Sequence, residues 1–168
     1  MNKMKEILID KVVLNIGVGQ PGERLDNAKK LLEIITNRKA VYTKAKERNP
    51  TFKIRPGLPI GVKVTLRGKD AIEILKKAFA AVKNKISKRS IDKNGNFSIG
   101  IKEYIDFPGI KYMPEIGIMG FDVTVTLKRR GYRVMLRKRK TSKVGNSHRI
   151  KPDETIQYLK DVFGVEVE

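Results

Sequence analysis

The chain has no cysteine, no tryptophan, a single histidine, and only 18 Asp and Glu against 37 Lys and Arg. Without cysteine there is no disulfide, no thiolate nucleophile and no thiolate-held metal. The acids show no ligand spacing and His148 has no companion, so no metal site is expected. A catalytic base needs an orienting partner, and His148 lies in a stretch free of acids from Val123 to Pro152. A surface cation or nucleic-acid contact suits it better. Long apolar runs are also missing, which leaves no segment of membrane-spanning length. The opening MNKMKEILID has neither the long apolar region nor the small-residue cleavage site of a signal peptide, and a cytoplasmic location is expected.

What is present is charge. Over 168 residues the formal net charge is +19, a self-repulsion that a polyanionic partner would relieve. The length suits one domain with a proper core, 1–168, and no internal repeat divides it. The cations concentrate at 38–69 and 128–151, with Tyr42, Phe52 and Tyr132 interleaved as possible stacking surfaces.

Hydrophobic alternation predicts strands at 7–16, 39–44, 60–67, 97–101 and 121–127, with Tyr132–Leu136 returning as a hairpin partner of the last. Helical spacing predicts helices over 23–37, 70–86 and 152–163. Asp70 is expected to cap the second, with Glu73 completing a capping box, over a stripe of Ala71, Ile72, Leu75, Ala78, Phe79, Val82 and Ile86. Pro152 opens the third, whose stripe is Ile156, Leu159 and Val162. Residues 103–120 carry no regular signal, although Phe107, Ile110, Tyr112 and Met113 should pack. Residues 137–150 have little to bury and are expected to be flexible in the free protein. Short links between strands favour antiparallel pairing. The fold class is therefore α+β: a mainly antiparallel sheet with its helices on one face, plus a basic C-terminal extension, 137–168, ending in a helix.

Residues Gly17–Gly22 match G-x-G-x-x-G between a strand and a helix. A dinucleotide site would want a carboxylate about 20 residues on. That place is taken by Arg38, Lys39 and the residues to Lys44, so a plain glycine-rich turn is favoured. No zinc-finger spacing, basic zipper, helix-turn-helix or aromatic RNA-recognition strand motif is present. A basic loop, 43–61, leads into the strand that alternates Val62, Val64 and Leu66 with Lys63, Thr65 and Arg67. A cationic loop beside a cationic strand face suits RNA held by shape and phosphate contacts.

The runs KVVLNIGVG (11–19), TKAK (43–46), FKIRPGLPIGVKVTLRG (52–68), NGNFSIGIKEYIDFPGI (94–110) and MGFDVTVTL (119–127) resemble the family of the universal fifth protein of the large ribosomal subunit. With the helices between them the resemblance spans almost the whole chain, and the basic extension, counted from 128 to 151 and followed by the helix at 152–163, is similar to that of the archaeal and eukaryotic branch. The resemblance implies a non-enzymatic ribosomal constituent, without cofactor, that binds 5S rRNA and neighbouring large-subunit rRNA in the central protuberance. Asn15, Arg38, Lys63, Thr65 and Arg67, with Arg133, Arg137 and Arg139 of the extension, are its expected rRNA contacts. Loop 45–57, with the tip placed at Glu47–Pro50, would touch peptidyl-site tRNA. Its contact set is Lys44, Lys46, Arg48, Asn49, Phe52, Lys53 and Arg55. The other implied partners are a second 5S-binding ribosomal protein and, through an inter-subunit bridge, a head protein of the small subunit. No membrane is involved.

Overall fold

The computed structural model describes residues 2–167. Seven strands and four α-helices follow in the order β1 (Ile7–Gly17), α1 (Glu23–Thr36), β2 (Val41–Lys44), β3 (Pro59–Leu66), α2 (Lys69–Ala81), β4 (Lys85–Ile86), β5 (Phe97–Ile101), β6 (Phe121–Arg129), α3 (Arg133–Leu136), α4 (Pro152–Phe163) and β7 (Glu166–Val167). The main sheet has the order β2-β3-β1-β6-β5, every pair antiparallel. The longest strand, β1, therefore sits at its centre.

Period-two patterning sends Val12, Leu14 and Ile16 of β1, Val62, Val64 and Leu66 of β3, and Val123, Val125 and Leu127 of β6 to one face, where all are buried. That face meets Leu25, Ala28, Leu31, Leu32 and Ile35 of α1 and Ala71, Ile74, Leu75, Ala78 and Phe79 of α2 in a single core. Leu159 of α4 joins the same layer, and its neighbour Phe163 packs 5.1 Å from Phe79. The opposite face carries no helix of the α1–α2 layer.

Several sequence expectations need correction. Gly68, not Asp70, precedes α2, at φ 65°, and no side chain caps the helix. Asp70 lies in the first turn, where its charge still suits the helix dipole, and pairs with Arg38. The helix stops at Ala81 because Lys83 and Asn84 turn left-handed, at φ 56° and 57°. Ile86 is then buried from β4, which pairs in parallel with β7. Ile74 is buried in place of Ile72, which is exposed. In α4 the inward residues are Thr155 and Leu159, while Val162 is exposed. Tyr132–Leu136 does not return as a strand: Gly131 turns at φ 95° and the chain coils into α3.

The connection at 103–120 is organised by Tyr104, which is fully buried. Its hydroxyl accepts from the Met113 amide at 2.9 Å, and its own amide donates to the Met119 carbonyl at 3.0 Å. Phe107 packs against Phe121, with ring centres 5.6 Å apart, while Tyr112 stays exposed.

Gly61 shows how tightly β1, β2 and β3 meet. A Cβ there would lie 2.8 Å from the Ile16 carbonyl oxygen and 2.7 Å from Thr43 Oγ1. The carbonyl belongs to the central strand and cannot move aside, so Gly61→Ala is expected to cost roughly 1–3 kcal/mol of stability, the usual range for overpacking. Urea denaturation of the two proteins measures it.

Candidate nucleic-acid interface

On the sheet's open face the register brings the polar alternates into rows. Asn15 stands opposite Lys63 on one side and Asp122 on the other. One row further, Val13 lies between Thr65 and Thr124, and Thr124 faces Ser98 of β5. Lys11 pairs with Thr126 in the next row. Lys63, Thr65 and Thr124 are exposed, and Lys63 has no ion-pair partner among the described residues.

A β-bulge between Ile9 and Lys11 breaks the ladder at Asp10. The Asp10 carboxylate accepts from Lys128 Nζ at 2.7 Å and from Arg67 at 3.3 Å. Burial pushes the Asp10 carboxyl up, but the Lys128 hydrogen bond and the Lys128 and Arg67 charges outweigh it and hold the group below its ordinary value. This carboxylate fixes two cations at one end of the face. Sequence reading misses it, because a bulge leaves no mark in the alternation. Asp122, Thr124 and Thr126 also lie outside the expected contact set, although the alternation of β6 places them opposite its apolar residues.

Of the expected rRNA contacts, Asn15, Lys63, Thr65 and Arg67 come together here. Arg38 precedes β2, whose antiparallel register brings it to the end of β3 where Arg67 lies. Its Nε donates to Asp70 at 3.0 Å, an exposed pair of the kind worth only about 0–1 kcal/mol. Arg133, Arg137 and Arg139 are exposed and follow β6 in the chain. Arg137 Nε donates to the Lys140 carbonyl at 2.8 Å.

The loop joining β2 to β3 is a narrow continuation of their hairpin. Ala45 donates to Leu58 at 2.8 Å, and Asn49 and Ile54 exchange two backbone bonds of 3.0 Å. The reversal lies at Pro50–Lys53, past the expected Glu47–Pro50 tip, with Lys53 at φ 55°. Asn49 Oδ1 accepts from the Thr51 amide at 3.0 Å, so this side chain holds the turn. Lys44, Lys46, Arg48, Phe52, Lys53 and Arg55 are all exposed, and Phe52 shares a cleft with Val18–Gln20. Tyr42 is different. Its hydroxyl donates to Asp26 at 2.6 Å and Lys29 sits 4.7 Å above its ring, which ties it to α1, away from the open face.

The G-x-G-x-x-G turn is structural. The amides of Val18 and Gly19 both donate to the Ile60 carbonyl, at 3.0 and 2.8 Å. Both neighbours of β1 are antiparallel, so it belongs to no parallel βαβ unit of the kind that binds dinucleotides.

The extension is locked to the body by Arg129, which is 5 % exposed. Its guanidinium donates to Glu154 at 2.9 Å and to the His148 carbonyl at 3.3 Å, while its Nε has no partner among the described residues. Tyr132 accepts from the Ile150 amide at 3.1 Å, and His148 Nε2 lies 2.8 Å from the Arg130 carbonyl. Ile150 itself is buried, an exception to the expectation that 137–150 buries little. Burial raises the Glu154 carboxyl, but hydrogen bonds from the Lys151 amide and Arg129, with their charges, bring it below its usual value of 4.5. A lowered folded value stabilises the folded state above pH 4.5, and that contribution disappears as pH falls through the folded value. The extension is therefore expected to become protease-sensitive at 137–150 on acidification below about pH 4.5. Glu154→Gln should show the same sensitivity already at pH 7, checked by limited proteolysis.

Two family profiles fit the chain nearly end to end: that of ribosomal protein L5 over residues 2–55 and that of the C-terminus of the same ribosomal family over 59–157. The chain belongs to the ribosomal protein L5 family. It is a structural, non-enzymatic constituent of the large ribosomal subunit, and RNA binding and a part in translation follow from that membership. Among family members, large ribosomal subunit protein uL5 of Picrophilus torridus is 51% identical over 167 residues, covering 99% of this chain and 95% of its own. The uL5 of Thermoplasma volcanium is 52% identical over 168 residues, 99% of each chain. That of Nanoarchaeum equitans is 52% identical over 165 residues, 98% of this chain and 97% of its own. These relatives are archaeal, one of the two branches to which the sequence resemblance points.

Proposed function

We propose that this L5-family chain binds 5S rRNA across the open face of its sheet and so fixes that RNA in the central protuberance of the large subunit. The observation that carries the proposal is the set of rows joining Asn15 to Lys63 and Val13 to Thr65, with Lys63 and Thr65 exposed, on a protein of net charge +19. Lys63, Arg67 and Lys11 supply phosphate contacts, while Asn15, Thr65 and Thr124 set register and contribute less of the energy. Neighbouring large-subunit rRNA meets Arg133, Arg137 and Arg139. Loop 45–57 reaches peptidyl-site tRNA with Lys46, Arg48 and Phe52. A second 5S-binding protein and a small-subunit head protein are the expected protein neighbours.

Filter binding of a 5S rRNA transcript against duplex DNA of equal length tests the central claim. The transcript should be strongly preferred, and affinity should fall on the order of a thousandfold or more between about 50 and 200 mM salt if six to ten phosphates are neutralised. Equal affinity for both would defeat it. The loop is tested separately. Lys46→Ala with Arg48→Ala should leave 5S binding unchanged and weaken tRNA retention on reconstituted ribosomes, and a loss of 5S binding would refute that division of labour.

A further inference from the structure

We propose that a cleft between the open face and the extension receives one unstacked base of the bound RNA, an inference that rests on the RNA reading of that face. The cleft holds about 410 Å³, within the roughly 300–1,000 Å³ usual for small-ligand sites. Lys11 and Thr126 belong to its sheet side, and Tyr132, Met135 and Leu136 to its extension side. Met135 and Leu136 are 48% and 70% exposed, an apolar wall that the protein itself does not cover. Such a wall suits the π-face of a base, and the polarisable thioether of Met135 adds to it.

The rim supplies what a nucleotide carries besides its ring. Lys11, Lys128 and Arg149 surround the cleft, and its one carboxylate, Asp10, is already bonded to Lys128 and Arg67. Asn94 opens on the same space, and its side-chain amide makes no hydrogen bond among the described residues, so it offers a donor and an acceptor to a base edge. An apolar side chain of a partner protein would use the wall and leave Lys11, Arg149 and the amide unanswered. A base with its flanking phosphates answers all of them, and the cleft continues directly from the rows at Thr126 and Lys11. Recognition of RNA through splayed-out bases follows the same chemistry.

The full chain, labelled at its methionine methyl groups, provides the test, with the Met135 resonance assigned by Met135→Leu. Titration with a 5S rRNA transcript, and separately with adenosine monophosphate, should move that resonance upfield by the ring current of a stacked base. Met135→Ala with Leu136→Ala should weaken transcript binding roughly ten- to a hundredfold, the range of one lost stacking contact. Leu136→Ala alone, at an exposed position, replaces the double variant if the latter fails to fold. Transcript binding with an unmoved Met135 methyl, or with unaltered affinity of the variant, overturns the cleft and leaves the proposed function standing. Failure to bind the transcript defeats the proposed function, and the absence of an upfield shift with adenosine monophosphate then overturns the cleft as well. A shift produced only by added ribosomal proteins assigns the cleft to a protein and also overturns it.

Discussion

Lys63→Glu combined with Arg67→Glu is expected to weaken 5S rRNA binding on the order of a hundredfold or more and to lower the salt slope by about two, one for each lost phosphate contact. Both positions, at the middle and the exit of β3, fall on one side of the strand and are exposed. Neither contributes to the core, so circular dichroism and the urea midpoint should change little. The carboxylate introduced at the second position would also stand near Asp10, which now bridges Arg67 and Lys128. Loss of the Arg67 pair would leave Lys128 as the remaining cation on Asp10. A salt series by filter binding reads both numbers. Unaltered affinity would move the RNA off this face altogether.

Gly95→Ala is expected to have the largest effect on the fold, roughly 2–5 kcal/mol from left-handed backbone strain and overpacking together. Gly95 lies at φ 78°, and a Cβ there would sit 2.6 Å from both Ile150 Cγ2 and Thr155 Oγ1. Thr155 also donates to the Gly95 carbonyl at 3.0 Å. The Asn94-Gly95 turn is thus the socket into which the extension and α4 dock, and Asp92 braces it by accepting from the Asn94 and Asn96 amides at 2.8 Å each. Urea denaturation should show the lost stability. Faster proteolysis within 137–150 should show that the extension is the part released. An unchanged midpoint would mean that the socket can widen at no cost.

The sheet is legible in the sequence because its strands alternate cleanly: Val62-Val64-Leu66 and Val123-Val125-Leu127 each turn one apolar edge inward. The same alternation places Lys63, Thr65 and Arg67 on the opposite face, and hence most of the candidate interface. Features that depend on remote partners are not legible. α2 ends without a glycine, through left-handed Lys83 and Asn84, so helical spacing runs on to Ile86. Tyr132–Leu136 has the composition of a strand, yet Tyr132 is drawn to His148 and Ile150 and the segment coils. In α4, Thr155 faces inward because Gly95 leaves room for it, a fact written far upstream in the chain. The Asp10 bulge likewise makes sense only once Arg67 and Lys128 are beside it.

The central place of β1 also bears on how the molecule is made. Ile7 pairs with Arg129 at the far end of the ladder, and Val165 is part of the buried core. A nascent chain growing from its amino end would carry the middle strand half-edged until β6 emerges, and could not seal its interior before Val165 is free. Such long-range closures slow folding and leave sticky edges exposed meanwhile. Early capture by a chaperone or by RNA would shorten that vulnerable interval.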